Sequence, residues 1–337
     1  MKGTKRSRTI LLSLLIMLVL ILEGKAVAVG VTEGITLCVK SVIPSLFPFF
    51  VLTSYMNPYL IGAQFPGVTH LGKFLKLPIG QESLLLLWLI GGYPVGAQLI
   101  ADNYRRGSLE RRNAAILMGF CNNAGPAFIF GITGSLFQQP VVPWILWIIH
   151  LISAILTALL LPRCTRQQST VPDSVQLTLP QALQKGLIIC SSVCGWILLF
   201  KAILTVFKKW FATLLGEYMY ICFSGMLELS NGCLQLSNVM SPSLRFILCA
   251  AFLSFGGLCI AMQTLSVAAS LGFGLYLPGK VIQTLISIAF ALPVAAVLFD
   301  TGLRTIASWL AYSLIASVVI FLLRLYCRKK LWKLCSV

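Results

Sequence analysis

Cys121-Asn122-Asn123-Ala124-Gly125-Pro126 decides how this chain is read. The six residues interrupt an apolar stretch, 114–137, that is long enough to cross a bilayer. Proline removes a backbone N–H and clashes with the preceding turn, so a regular helix cannot run through it. The two asparagines bring amide donors and acceptors that lipid leaves unsatisfied. Two outcomes are open. The amides can bond carbonyls freed by a kink, or the helix can unwind and offer its backbone and amides to a polar solute in mid-membrane.

Further apolar stretches of bilayer length follow at 141–161, 183–207, 244–271, 281–299 and 306–325. Only 10% of residues are charged, against about 25% in soluble domains, too few to cover a water-facing surface. Lipid cannot satisfy backbone polar groups, so the stretches must be helices. The fold class is an all-α polytopic membrane protein. The net charge of +17 gathers in short connectors, which points to topology and anionic lipid; nucleic acid is excluded as a partner. The eleven cysteines lie scattered, mostly in apolar segments without a CxxC pair, and His70 and His150 are far apart. They read as small core residues, with no metal site or cofactor expected.

Basic residues set the topology. Lys2, Lys5, Arg6 and Arg8 precede the apolar run 10–22, which resembles a signal peptide. Ala26-Val27-Ala28 has the small residues of a cleavage site, but Glu23 and Lys25 stand before it, and retention is expected. With the N-terminus cytoplasmic, 10–25 crosses outward and 34–56 returns. Lys73 and Lys76 precede the stretch 83–101, and Arg105, Arg106, Arg111 and Arg112 follow it. Both flanks are therefore cytoplasmic, so the stretch dips in and comes back with its tip at the glycines. Then 114–137 goes out, 141–162 returns to Arg163, Arg166 and Lys185, and 183–207, 244–271, 281–299 and 306–325 alternate. The tail with Arg328, Lys329, Lys330 and Lys333 ends inside. Lys201, Lys208, Lys209, Arg245 and Arg304 fall near the outer face in this scheme.

The order of features repeats. Gly34-Ile35-Thr36-Leu37-Cys38 has a counterpart in Gly186-Leu187-Ile188-Ile189-Cys190. Gly92-Tyr93-Pro94-Val95-Gly96 corresponds to Glu228-Leu229-Ser230-Asn231-Gly232, and the break at 121–126 to Leu253-Ser254-Phe255-Gly256-Gly257-Leu258. Three crossings and one hairpin per unit invert the second unit, so hairpin 217–238 should enter from outside. About eight transmembrane helices plus two re-entrant hairpins in an inverted repeat are expected. They form one integral membrane domain over 1–337: an N-terminal helix or signal anchor (1–33), repeats at 34–162 and 183–300, and a last helix with a basic tail (301–337).

The interruptions supply the candidate solute-binding residues. Asn122, Asn123 and Gly125 come from the first break. Gly92, Tyr93, Pro94 and Gly96 form either a tight hairpin tip or a close backbone approach to a ligand, with the amide of Gln98 one turn on. Glu228 shares a helical face with Asn231; it is either a functional intramembrane acid or a carboxylate paired to Lys201 or an amide. Gly257 and Gln263 complete the set, whereas Lys40 and Asp300 are expected to snorkel to the interface. Half-helix N-termini pointing at one cavity favour an anionic group on the solute.

Val42-Ile43-Pro44-Ser45-Leu46-Phe47-Pro48-Phe49-Phe50, Gly92-Tyr93-Pro94-Val95-Gly96-Ala97, the 121–126 break with Phe128-Ile129-Phe130-Gly131, Leu227-Glu228-Leu229-Ser230-Asn231-Gly232 and Phe255-Gly256-Gly257 together carry a resemblance. The chain resembles the nucleoside-recognition, or Gate-domain, membrane proteins, most closely the YlbJ-type sporulation integral membrane proteins. That resemblance implies a fold similar to concentrative nucleoside carriers, in a spore-forming Gram-positive bacterium. It also implies passage of dipicolinate during sporulation, at the cell membrane or a forespore membrane. A second copy or other sporulation membrane proteins are the implied partners. The other reading is a non-transporting assembly factor of the spore envelope. An enzyme is not expected, because two histidines and nine acids form no catalytic motif. A nucleotide-binding loop is absent, so ATP-driven transport would need a separate subunit.

Overall fold

The computed structural model describes residues 2–82, 84–165 and 176–299, and all ordered elements among them are helical. The expected last helix 306–325, the basic tail, Asp300, Arg304 and Arg166 lie outside the described residues.

The helices follow the apolar runs and start where caps and prolines allow. In order they are α1 (Lys2–Leu22), α2 (Gly24–Leu37), α3 (Ile43–Leu60), α4 (Pro66–Phe74), α5 (Leu84–Ile90), α6 (Val95–Arg105), α7 (Arg111–Met118) and α8 (Pro126–Leu136). The second half holds α9 (Val142–Leu160), α10 (Leu179–Leu215), α11 (Glu217–Leu227), α12 (Leu229–Gln235), α13 (Pro242–Phe255), α14 (Gly257–Val267) and α15 (Tyr276–Phe299). Thr178 and Gln181 form a reciprocal capping box at the start of α10, and Gly216 ends it. Its 37 residues span roughly 55 Å, well beyond a hydrocarbon core of about 30 Å.

By length and composition, five helical segments among the described residues can cross a membrane: Gly24–Leu60, Val142–Leu160, Leu179–Phe211, Pro242–Val267 and Tyr276–Phe299. They cover five of the eight expected crossings. Of the others, 306–325 is outside the described residues, and 114–137 divides into α7 and α8. The segment 10–25 needs a correction. It was expected to run opposite to 34–56, yet the helical ladder continues through Glu23, with Glu23 N–H donating to Val19 O and Val27 N–H to Glu23 O, both 2.9 Å. Glu23 stands at the junction of α1 and α2 with φ −103° and ψ 25°, and its carboxylate has partners on α10: Lys209 Nζ at 2.6 Å and Trp210 Nε1 at 2.8 Å. Between α2 and α3 the helix passes through one π turn, Cys38–Val42.

α10 packs antiparallel along α2 and α3. Close backbone approaches fix the pairing: Gly30 lies against Lys201 and Ala202, Gly34 against Leu198, and Gly186 against Val51. Outside, large apolar side chains such as Ile188, Trp144 and Val281 are exposed, while Asn122, His150, Lys280 and Gln283 are buried. Apolar outside and polar inside is the arrangement of a protein whose solvent is lipid.

Candidate functional site

Four helix interruptions meet in the interior. α5 gives way to α6 at Gly91–Pro94, where Gly92 takes φ 73°, and α7 gives way to α8 through the non-helical segment before Gly125 and Pro126. α11 ends at the extended residue Glu228, and α13 ends at Gly256 with φ 81°. L side chains rarely take such positive φ values, which is why glycine stands at both places. The breaks touch in pairs. A methyl group on Gly125 would lie 2.9 Å from the Cα of Gly92, and one on Gly257 would lie 3.2 Å from the carbonyl oxygens of Gly225 and Leu227. Tyr93 joins the two pairs, since its hydroxyl donates to Leu253 O at 3.1 Å.

Around this junction lies a buried polar cluster. Lys280 on α15 is fully buried, and its ammonium donates to Gln283 Oε1 (2.8 Å), Tyr93 Oη (3.1 Å) and Asn123 Oδ1 (3.3 Å). Gln283 Nε2 donates to Asn123 Oδ1 at 2.9 Å, and Asn123 Nδ2 donates to Phe120 O at 2.7 Å. His150 on α9 accepts from Ala124 N–H at 3.1 Å and sits 3.3 Å from Ser254 Oγ. Asn122 takes a separate part, donating to Thr264 Oγ1 at 2.8 Å and accepting from Ala97 N–H at 3.4 Å.

Two clefts adjoin the cluster. The inner one, about 30 Å³, is lined by Tyr93, Gly125, Glu228, Gln263 and apolar side chains, and has room for a water or two. The outer one, about 380 Å³, shares Val42, Phe128 and Ser230 with it and adds Lys40, Ser41, Ser45 and Gly131. Lys40, expected near a segment end, stands instead within a long helix and is exposed. It lies on the π turn inside the Gly24–Leu60 helix, in the same cleft as Ala127 and Ser230, residues that adjoin two of the breaks.

The sequence-derived candidates separate into groups. Tyr93, Gly125, Glu228 and Gln263 share the inner cleft, and Asn123 stands behind Tyr93 in the lysine cluster. Gly92 and Gly257 make the close approaches described above, and Gly96 packs against Cys121. Pro94 caps α6. Gln98 is directed elsewhere: it donates to Asp102 Oδ1 at 2.8 Å, in a group where Asp102 also pairs with Lys185 and with Arg105, the latter at 2.7 Å. Asn231 Oδ1 accepts from Lys201 Nζ at 2.7 Å, and the same ammonium lies 3.3 Å from Glu33.

Glu228 has a local role. Its two oxygens accept the Ser230 N–H (3.0 Å) and Asn231 N–H (2.6 Å), capping α12. A glutamine has one acceptor oxygen where the carboxylate has two. Glu228→Gln is therefore expected to lower stability by about 1 kcal/mol, read as a reduced Tm, while leaving solute handling within a few-fold of wild type. Loss of solute handling at unchanged Tm would show direct contact with the solute instead.

Lys280, Gln283, His150 and Thr264 were not among the candidates. The available signal was Tyr276, Lys280 and Gln283 recurring at helical spacing just before and inside an apolar run.

These features define a class: a multi-pass α-helical membrane protein whose helices break around a buried polar cluster. Over 109 residues, 32% of this chain and 26% of the relative, the chain is 30% identical to the sporulation integral membrane protein YlbJ of Bacillus subtilis (strain 168). The match thus spans about a quarter of that protein's length. No family model and no solved structure matches the chain.

Proposed function

We propose that the chain is a permease for a small polar, anionic or nucleoside-like solute, acting in sporulation, with dipicolinate the leading substrate. The observation that carries this is the meeting of four helix interruptions, two from each half of the chain, with residues of three of them and α14 lining one cleft beside a buried polar cluster. Unwound backbone at membrane depth is tolerated where it lines a cavity, and solute sites of transporters are built this way. The partial similarity to a sporulation membrane protein supports the cellular setting. In this reading α5–α6 and α11–α12 are re-entrant hairpins of an inverted repeat, both termini are cytoplasmic, and the lipid bilayer and a second copy or other sporulation membrane proteins are the partners. The reciprocal approaches of Gly34 to Leu198 and of Gly186 to Val51 support the repeat. An inner cleft of about 30 Å³ corresponds to a closed state that must widen to admit the solute.

The test is uptake of labelled dipicolinate, then of a nucleoside panel, into proteoliposomes under imposed gradients. Saturable uptake is the expected result. If folded protein takes up none of these solutes, the permease reading fails and a non-transporting assembly factor of the spore envelope replaces it.

A further inference from the structure

Hydrogen-bond accounting around Lys280 favours its charged form. Tyr93 commits its proton to Leu253 O, so its oxygen can only accept from Lys280. Asn123 is oriented by its Nδ2 donation to Phe120 O, which leaves Oδ1 facing the lysine. Gln283 is oriented in turn by its Nε2 donation to Asn123, which leaves Oε1 facing it as well. Three acceptors surround the nitrogen, and only an ammonium supplies three donors. The faces of Tyr93 and Tyr276 lie 5.0 and 5.9 Å away and favour a cation further. His150 brings no competing charge, because accepting the Ala124 N–H requires a neutral ring nitrogen.

Among the described residues no acid is paired with Lys280, and no carboxylate lies within 4 Å of it. Glu228, across the inner cleft, spends both oxygens on the first N–H groups of α12. A buried cation held by neutral dipoles alone is costly, and such residues mark binding sites or pathways. Tyr93 links this cation to the inner cleft: it lines the cleft and accepts from Lys280 with its hydroxyl.

We infer that Lys280 is the fixed internal cation that makes the cleft select a carboxylate-bearing solute, acting through Tyr93. The Tyr93 hydroxyl turns from Leu253 O to donate to the solute carboxylate. Its oxygen keeps the Lys280 bond, which polarises the O–H toward the anion. Lys280 is thus a positioning and specificity residue that need not touch the solute. This assignment rests on the reading of the inner cleft as a solute site.

The experiment uses the purified full chain in nanodiscs and reads ligand affinity from thermal stabilisation. The probes are dipicolinate and its uncharged isostere pyridine-2,6-dicarboxamide, with acetate and inorganic phosphate as further anions. Wild type should bind the dianion at least about tenfold more tightly than the diamide, the worth of one charge-assisted hydrogen bond. Lys280→Gln should bring that preference to near unity, and Lys280→Arg should retain part of it. Where Lys280→Gln does not fold, Tyr93→Phe carries the test. It keeps the ring under the ammonium, and it should weaken the dianion while sparing the diamide. An unchanged preference in Lys280→Gln or Tyr93→Phe overturns the inference, as does stabilisation of wild type by none of the anions. A charge preference that depends on Lys280 in a protein without uptake would refute the permease and keep the anion site. Uptake indifferent to solute charge would do the reverse.

Discussion

Gly279→Ala should cost the protein its fold. The added carbon would sit 1.9 Å from the Gly119 carbonyl oxygen and 2.7 Å from its Cα, distances that no side-chain rotation relieves. Either α15 or the segment leaving α7 must shift, and that shift carries Lys280, one residue on, away from Asn123. The expected loss reaches or exceeds the upper end of overpacking, about 3 kcal/mol, seen as a large fall in Tm or as failure to accumulate in the membrane. Gly195→Ala is the control, since a carbon there meets nothing within 4 Å and should leave Tm unchanged or slightly raised. If both variants melt alike, helix contact at Gly279 is not what holds the polar cluster in register.

The second large effect falls on Asn123. Alanine there removes one acceptor from a buried ammonium and the partner of the Gln283 amide, and it frees the Phe120 carbonyl. Truncating a partner of a buried charge costs about 3–5 kcal/mol. Asn123→Ala should therefore lower Tm strongly and abolish uptake of whichever solute wild type carries. Asn123→Asp keeps the shape and places a carboxylate beside Lys280 at the loss of the bond to Phe120 O, so it should be more stable than Asn123→Ala yet lose anion binding. Folding and charge selection then separate in one pair of variants. Wild-type anion affinity in Asn123→Asp would show that the cluster has no electrostatic hold on the cleft.

The helix breaks were legible in the sequence because glycine, proline and asparagine in an apolar run conflict with a helical ladder on chemistry alone. Pro126, Gly92, Gly256 and Glu228 mark all four. What stayed hidden depends on partners far along the chain. Lys280 stands one residue before the apolar run 281–299, where a lysine reads as a flank, and only contacts with Tyr93 and Asn123 reveal it as interior. His150 was weighed only as a metal ligand, and its link to Ala124 is invisible to spacing. Glu23 was weighed only against signal cleavage, whereas its carboxylate answers Lys209 on a helix almost two hundred residues later. Gln98 was placed correctly on α6, one turn past the break. The direction it faces was set by Asp102, four residues on.

Asp102 has a consequence of its own. It lies toward the far end of α6, where it holds Lys185 of α10, and Arg105 beside it reaches the last carbonyl of α14, Val267 O, at 3.3 Å. The outer cleft opens among residues past the breaks in the other direction, on α8 and beside Lys40. On the proposed permease reading the molecule would work as a cup and not a pipe, with opposite charges knotted at one end and serines at the other. On that reading, a solute that reached Tyr93 from the Lys40 side would leave by the way it came until the knot at Asp102 was untied.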